Sequence, residues 1–194
     1  MSTLPFQTTE PYNKRVMAAL EQWPDSEIRT AVKILRKTIL KNSRIYLMGN
    51  GGSASTASHF ATDLGVGSLN RGNPLKAFSL ADNSAIITAT GNDHKFEEIF
   101  SRQIRLMCEP EDVVFVISAS GNSRNLVLAI EQAKKIGCQT IALTAFNGGR
   151  IAKMVECNIH IDTPIGDYGI SEDIHSMICH CIAELNRKSE NSSK

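Results

Sequence analysis

Two side chains suited to acid–base chemistry, His59 and Asp63, lie four residues apart in a segment with a helical pattern. At this spacing both side chains project from one face of a helix. An imidazole and a carboxylate together can move protons on a substrate or bind a divalent metal. The pair is therefore a candidate catalytic or metal-binding group.

A second pair, Glu172 and His180, lies in the last helical segment, with His175 between its members. The two positions differ by about 80° around the axis at 3.6 residues per turn. If both helices border one pocket, two imidazoles and two carboxylates could converge there as acid and base or as metal ligands. The alternative is that each is a surface charge or a hydrogen-bonded structural histidine, as we expect for His94 and His160.

Two segments rich in glycine and serine follow apolar runs, GNGGSAS at residues 49–55 and SASGNS at residues 118–123. Each brings small side chains, hydroxyl groups and free backbone N–H groups to the start of a helix, which suits a phosphate monoester. A single loop of this kind could merely form a tight turn and cap its helix. Two of them at neighbouring strand ends favour a phosphate site.

The first loop also fits the dinucleotide pattern G-x-G-x-x-G/A through Gly49, Gly51 and Ala54. That pattern needs an acidic residue about 20 positions later, at the end of the next strand. Asp82, the nearest candidate there, lies about ten positions too late for this role. We therefore expect no nucleotide cofactor. The sequence also lacks the P-loop, H-E-x-x-H and G-x-S-x-G motifs.

The elements that must position these residues alternate between apolar runs and helical patterns. The predicted strands are residues 44–49, 76–80, 113–118, 140–145 and 158–162, and the predicted helices between and after them are residues 53–64, 93–107, 123–136, 149–155 and 170–185. Two more helices, split at Pro24, come first, and Asp25 or Ser26 can cap the second. This alternation predicts an α/β fold with a doubly wound, five-stranded parallel sheet.

The chain is expected to form one domain over residues 11–187, between a flexible N-terminus (1–10) and a polar tail (188–194). Its 194 residues are 42% hydrophobic and 21% charged, which is typical of a globular domain. A net charge of +1 argues against charge-driven binding to nucleic acid or membranes. No signal-peptide pattern occurs, no apolar run approaches the ~18 residues of a membrane helix, and five cysteines lack a Cys-x-x-Cys pair, which together favour the cytoplasm.

The sequence resembles the sugar isomerase (SIS) family, specifically the bacterial phosphoheptose isomerases. The matching segments are GNGGSASTASHFATDL, TGNDHKFEEIFSRQ, VVFVISASGNSRNLVLAIEQAKKIG, TIALTAFNGG and EDIHSMICH, which run from about residue 44 to residue 180. The resemblance implies the SIS fold and a homotetramer, with the N-terminal helices in oligomerisation and the sites built at subunit interfaces.

The resemblance also implies roles for individual residues. Substrate would be held by Asn50, Gly51, Gly52 and Ser53, its phosphate by Ser118, Ala119, Ser120 and Ser123, and its sugar chain by Asn92 and Asp93. His59, Asp63, Glu172 and His180 fall on the family's metal and catalytic positions, where some members hold one zinc per subunit. Glu172 is also expected to contact substrate. We expect Asp63 to act as the base and His180 as the acid.

Four positions depart from the family pattern. Asp63 replaces the usual glutamate, and Glu172 replaces the usual glutamine. A glycine, at or near Gly67, stands where the family has an arginine shortly after the catalytic acid. Gly169 aligns with an aspartate, although Asp167 lies two residues away. The acid–base set is therefore kept, but the side chain at position 63 is shorter and the one at position 172 carries a charge. These changes bear on the identity of the substrate.

The activity implied by the resemblance is an aldose–ketose isomerisation. It would convert sedoheptulose 7-phosphate to D-glycero-D-manno-heptose 7-phosphate through an enediolate, in heptose biosynthesis for lipopolysaccharide or capsule. One alternative is an SIS isomerase for another phosphorylated sugar. The other is a non-catalytic SIS protein that binds a phosphosugar or acts as an adaptor in replication initiation. The retained titratable cluster favours an enzyme.

Overall fold

The computed structural model describes residues 10–70 and 72–188. Its strands are β1 (Ile45–Met48), β2 (Ala77–Ser79), β3 (Val113–Ser118), β4 (Gln139–Thr144) and β5 (Cys157–His160). Its helices are α1 (Glu10–Leu20), α2 (Asp25–Lys41), α3 (Gly52–Leu64), α4 (Ser84–Asp93), α5 (Ser101–Met107), α6 (Arg124–Ile136) and α7 (Tyr168–Arg187). Single 3₁₀ turns lie at Val66–Ser68, Phe96–Glu98 and Ile151–Lys153.

The five strands form one parallel sheet in the order β2-β1-β3-β4-β5. Strands β1 and β3 are adjacent, with Ile45 opposite Val113 and Met48 opposite Val116. The chain moves outward from β1 to β2 and then returns past β1 to β3, so the order reverses between β1 and β3. This is the switch point at which open α/β sheets bind ligands. The predicted doubly wound parallel fold is confirmed.

Alternate residues of the buried strands enter two separate cores. Ile45 and Leu47 pack with α2, α3 and α7, whereas Tyr46 and Met48 pack with α5 and α6. Strands that are buried on both faces have continuous apolar sequences, as β3 does. The helices on each face therefore take fixed positions relative to the carboxyl edge of the sheet.

Helix α4 was not predicted, and the helix expected at residues 93–107 is divided. Segment α4 is rich in β-branched residues and mostly exposed, with Thr90 its single buried residue, so its sequence has little amphipathic pattern. It begins because Asn83 Oδ1 accepts a 3.1 Å hydrogen bond from the Ile86 N–H, a local cap. The chain leaves the helix at His94, and one 3₁₀ turn precedes α5.

The first and last parts of the chain also differ in detail from expectation. Asp25 and Ser26 do not cap α2: Pro24 is the N-cap residue, and Asp25 lies in the first turn, where it accepts a hydrogen bond from Arg29. Helix α1 begins at Glu10, inside the segment expected to be flexible. Residues 1–9 and 189–194, the rest of the predicted flexible N-terminus and polar tail, lie outside the described residues.

Among the residues that the structure describes, no helix combines the length and the apolar character needed to cross a membrane.

The serine-rich loop after β3 is held in place by the turn that follows β4. The Ala145 N–H donates to the Ala119 carbonyl at 3.0 Å, and the Ile151 N–H donates to the Gly121 carbonyl at 2.9 Å. Gly148 and Gly149 both have positive φ and pack against this loop, so the helix predicted at residues 149–155 is reduced to one 3₁₀ turn. The turn after β4 therefore supports the serine-rich loop and does not begin an α-helix.

We expect Gly121→Ala to lower the free energy of unfolding by more than about 2 kcal/mol. Gly121 has φ +61°, and a Cβ there would lie 2.0 Å from the Gly148 carbonyl oxygen. Gly91→Ala is the control, because Gly91 lies in helix α4 with no atom within 4 Å of the added Cβ. The free energy of unfolding of Gly91→Ala should rise by roughly 0.5–1 kcal/mol. Urea unfolding of both variants measures this, and equal effects would contradict the account.

His175 is fully buried in α7, and its two ring nitrogens make no hydrogen bond to a described residue. Burial lowers the pKa of its imidazole from 6.5 to about 4, with a smaller contribution from His160 in the same direction. The backbone of Thr144 partly offsets this shift. His175 is therefore a neutral core residue at physiological pH.

Because the unfolded chain binds this proton more readily, the protein should lose stability as the pH falls from 6.5 to 4. The loss assigned to His175 is about 3 kcal/mol at the acid end of this window. Urea unfolding at several pH values should show a shallower pH dependence in His175→Leu than in the wild type. His94→Gln, on an exposed position, should keep the wild-type dependence. The same slope in all three proteins would contradict this assignment.

Candidate active site

The two predicted phosphate loops line one cavity of about 130 Å³ at the carboxyl edge of the sheet. Six of the expected substrate residues contribute to its wall: Asn50, Ser53, Ser118, Ala119, Ser120 and Ser123. Glu172 of α7, a seventh expected substrate residue, also lines it, and Tyr168, Ile117 and Leu126 complete the lining. The N-termini of α3 and α6 both begin at these loops, so their positive dipole ends suit an anion.

An amide pair joins the two loops. Asn50 Nδ2 donates to Asn125 Oδ1 at 3.0 Å, and Asn125 Nδ2 donates back to Asn50 Oδ1 at 2.8 Å. Asn125 is buried in the first turn of α6, and its Oδ1 also accepts from the Leu126 N–H. Asn125 is not among the residues predicted from the sequence. Its signal is a short amide at a buried helical position, where an apolar residue would be expected.

Glu172 reaches across this cavity to the start of α3. A Cβ added at Gly52 would lie 2.4 Å from Glu172 Oε2, so a side chain at position 52 would displace the carboxylate from its present place. Gly51, the residue before the helix, has φ +55°. A carboxylate at a helix N-terminus is electrostatically favourable. Because position 172 holds glutamate where the family usually has glutamine, it also adds negative charge to the wall of an anion site.

A separate cluster contains His59 and Asp63 of α3 and His180 of α7. Nε2 of each imidazole lies 3.7 Å from Asp63 Oδ2. The two rings meet edge to face with centroids 5.0 Å apart. The side chain of Asp63 is 21% exposed, whereas those of His59 and His180 are 58% and 53% exposed. One ligand atom from each residue lies within 4.8 Å of the others, so the three could share a metal ion.

Within one chain, Glu172 does not join the other three predicted metal ligands, His59, Asp63 and His180. The cluster that these three form is also separate from the loop cavity of the same chain. His59 and Asp63 lie about 10 and about 16 Å from Gly52 along the axis of α3, at 1.5 Å per residue. Likewise, Glu172 and His180 are about 12 Å apart along α7. Glu172 therefore belongs to the loop cavity, and the other three residues form their own group.

Asn92 and Asp93, expected to contact the sugar chain, lie at the exposed end of α4. Asn92 Nδ2 donates to Asp93 Oδ1 at 2.8 Å. Asp93 lines a different cavity of about 430 Å³ with residues of α4 and α5. Within one chain, these two residues are thus not part of the loop cavity.

Asp167, the acid nearest to the departure at Gly169, is engaged elsewhere. Its Oδ2 accepts a 2.7 Å hydrogen bond from Arg15 Nη1, an ion pair that ties α1 to the start of α7. Gly169 lies in the first turn of α7, and an added Cβ would lie 3.5 Å from the hydroxyl of Tyr12. Neither residue lines the loop cavity.

Residues 11–145 match the SIS domain family. The chain is 34% identical over 188 residues to the phosphoheptose isomerase of Syntrophotalea carbinolica, covering 97% of this chain and 95% of that protein. It is 39% identical over 171 residues to the phosphoheptose isomerase of Citrifermentans bemidjiense, covering 88% of each. The solved phosphoheptose isomerase of Neisseria gonorrhoeae superimposes with a TM-score of 0.83 at 28% identity, covering 92% of this chain and 97% of that one.

These matches extend over nearly the whole chain and include both loops and both helices of the imidazole–carboxylate cluster. The chain belongs to the SIS-domain family and, within it, to the phosphoheptose isomerases, which are aldose–ketose isomerases.

Proposed function

We propose that the protein converts sedoheptulose 7-phosphate to D-glycero-D-manno-heptose 7-phosphate, in heptose biosynthesis. The proposal is supported by two structural features that occur together in this chain, which belongs to the phosphoheptose isomerases. A serine- and glycine-lined cavity lies at two helix N-termini, and a carboxylate contacts two imidazoles.

The loop cavity supplies the phosphate site in this proposal. Ser118, Ser120 and Ser123 offer hydroxyl donors, and the start of α3 offers backbone N–H groups. The N–H groups of Gly121 and Asn122 already donate to serine hydroxyls within the loop, which keeps the loop closed around the cavity. Binding energy from the phosphate positions the reactive end of the sugar, remote from this anchor.

Proton transfer is assigned to Asp63 and His180. Asp63 removes a proton from C1, the released electron pair forms the C1–C2 double bond, and the carbonyl oxygen on C2 accepts a proton from His180. Return of a proton to C2 and loss of the proton on O1 give the aldehyde. The 3.7 Å separation of Asp63 Oδ2 and His180 Nε2 lets both groups act on adjacent atoms of one substrate.

The cluster also fits a zinc ion, one per subunit. Two imidazole nitrogens and one carboxylate oxygen within 4.8 Å of one another are the donor set of many three-residue zinc sites. His59, Asp63 and His180 would hold the ion, which when bound supplies positive charge for the oxygens of the reacting sugar. A His180 nitrogen that binds zinc carries no proton for the substrate, so the zinc-bound form and the direct proton transfers above are alternative uses of the cluster. In both, the facing helices α3 and α7 hold Asp63 and His180 together.

We also infer a homotetramer in which the loop cavity and Glu172 of one subunit face the imidazole–carboxylate cluster of another. Within one chain these two groups are separated along both α3 and α7, and the two imidazoles are more than half exposed. Exposed apolar side chains next to the cluster (Val66 and Leu69) and on the N-terminal helices (Met17 and Leu40) are suited to burial between subunits.

The five cysteines, all free thiols, support a cytoplasmic location.

Another phosphorylated ketose is the second candidate substrate. It is favoured by one observation, the extra negative charge that Glu172 places against Gly52 at the phosphate site. A panel of sugar phosphates separates the two candidates by their kcat/KM values.

Asp63→Ala should abolish turnover of sedoheptulose 7-phosphate while leaving its binding intact, because Asp63 lies apart from the phosphate loops. We expect a loss of at least about 10²-fold in kcat from removal of the general base. A coupled assay for the heptose product and calorimetric titration with the sugar phosphate measure the two effects.

The matched control is Asp162→Asn, a change of an exposed carboxylate that lies outside both groups. It should retain wild-type kcat and affinity. Wild-type turnover in Asp63→Ala would contradict the role of Asp63. A wild-type protein that binds the sugar phosphate without converting it would instead favour another substrate or a binding protein.

A further inference from the structure

Arg187, in the last turn of α7, makes three contacts with the end of α3 and the 3₁₀ turn that follows it. Its Nη2 lies 3.6 Å from Asp63 Oδ1 and donates to the backbone carbonyl of Asp63 at 3.2 Å. Its Nε donates to Ser68 Oγ at 3.2 Å. Ser68 Oγ in turn donates to the Asp63 carbonyl at 2.7 Å. The guanidinium group is thus fixed by several contacts rather than one flexible ion pair.

The two oxygens of the Asp63 carboxylate therefore have different partners. Oδ1 faces Arg187, whereas Oδ2 faces His59 and His180, each at 3.7 Å. A carboxylate twisted part-way out of its present plane would weaken both sets of contacts at once. The arginine side chain is only 21% exposed, so its pairing with Asp63 is partly shielded from water.

Gly67 leaves the space that this arrangement needs. A Cβ at Gly67 would lie 3.4 Å from Arg187 Nη2 and 3.6 Å from Asp63 Oδ1. It would also lie 3.2 Å from the Thr62 carbonyl oxygen, closer than most side chains tolerate. A larger side chain at Gly67 would project toward the ion pair itself.

We infer that Arg187 is a positioning residue for the isomerisation, which holds Asp63 so that Oδ2 faces the two imidazoles and the substrate. This inference rests on the proposed function, in which Asp63 is the base. Arg187 itself touches neither the loop cavity nor the imidazoles; it acts through Asp63. It also lies far from the phosphate loops, so its removal should affect the chemical step and not the binding of the phosphate.

The test compares Arg187→Met, which keeps the apolar stem, with Arg187→Lys and with Lys188→Met, a change of the next residue in the chain, which caps the end of α7. We expect Arg187→Met to lower kcat by about 10²-fold, the scale of a small misplacement of a catalytic group, with KM for sedoheptulose 7-phosphate unchanged. Arg187→Lys should recover part of kcat, because an ammonium can pair with Oδ1 but cannot make all three contacts. Lys188→Met should resemble the wild type.

A crystal structure of Arg187→Met supplies a readout that does not depend on turnover. We expect the Asp63 carboxylate to move, so that neither of its oxygens lies at ion-pair distance from both imidazoles. Wild-type kcat in Arg187→Met, or an unchanged Asp63 in its crystal structure, would overturn the inference. If the wild type itself lacks turnover, the proposed function fails, and the crystal structure still decides the role of Arg187.

Discussion

The packing of α3 against α7 is the constraint on which both groups of functional residues depend. Apolar residues of the two helices, among them Ala57 and Phe60 on α3 and Ile174 and Ile178 on α7, are buried in one core against the sheet. This packing fixes where each helix presents its polar residues. One end of the pair brings Glu172 to Gly52, and the other brings His180 and Arg187 to Asp63.

The same packing separates binding from chemistry along the helices. The loops at the start of α3 have the backbone donors and hydroxyls that an anion needs. The last two turns of α3 carry Asp63 and His59, and α7 brings His180 to them, which are the groups that the proposed proton transfer needs. The two ends of one helix cannot meet, which is why we propose that a second subunit completes the site; the exposed imidazoles of the single chain are the observation behind this proposal.

Much of the fold could be predicted from the sequence because buried parallel strands and amphipathic helices have strong patterns, as in β3 and α6. Helix α4 lacks such a pattern and depends on a cap at Asn83. The pairing of His59 with Asp63 follows from helical spacing, but the approach of His180 depends on tertiary packing. Asn125 and Arg187 were missed for the same reason, since their partners are distant in the sequence.

The most direct test of this account is a mixed oligomer of two inactive variants, Asp63→Ala and Ser120→Ala/Ser123→Ala, co-expressed with different affinity tags and purified through both. A site shared between subunits predicts that the mixed protein recovers a substantial part of wild-type turnover of sedoheptulose 7-phosphate. In such a protein, some sites combine intact loops from one variant with an intact cluster from the other. Mixed oligomers as inactive as the two parent proteins, beside an active wild type, would contradict the account.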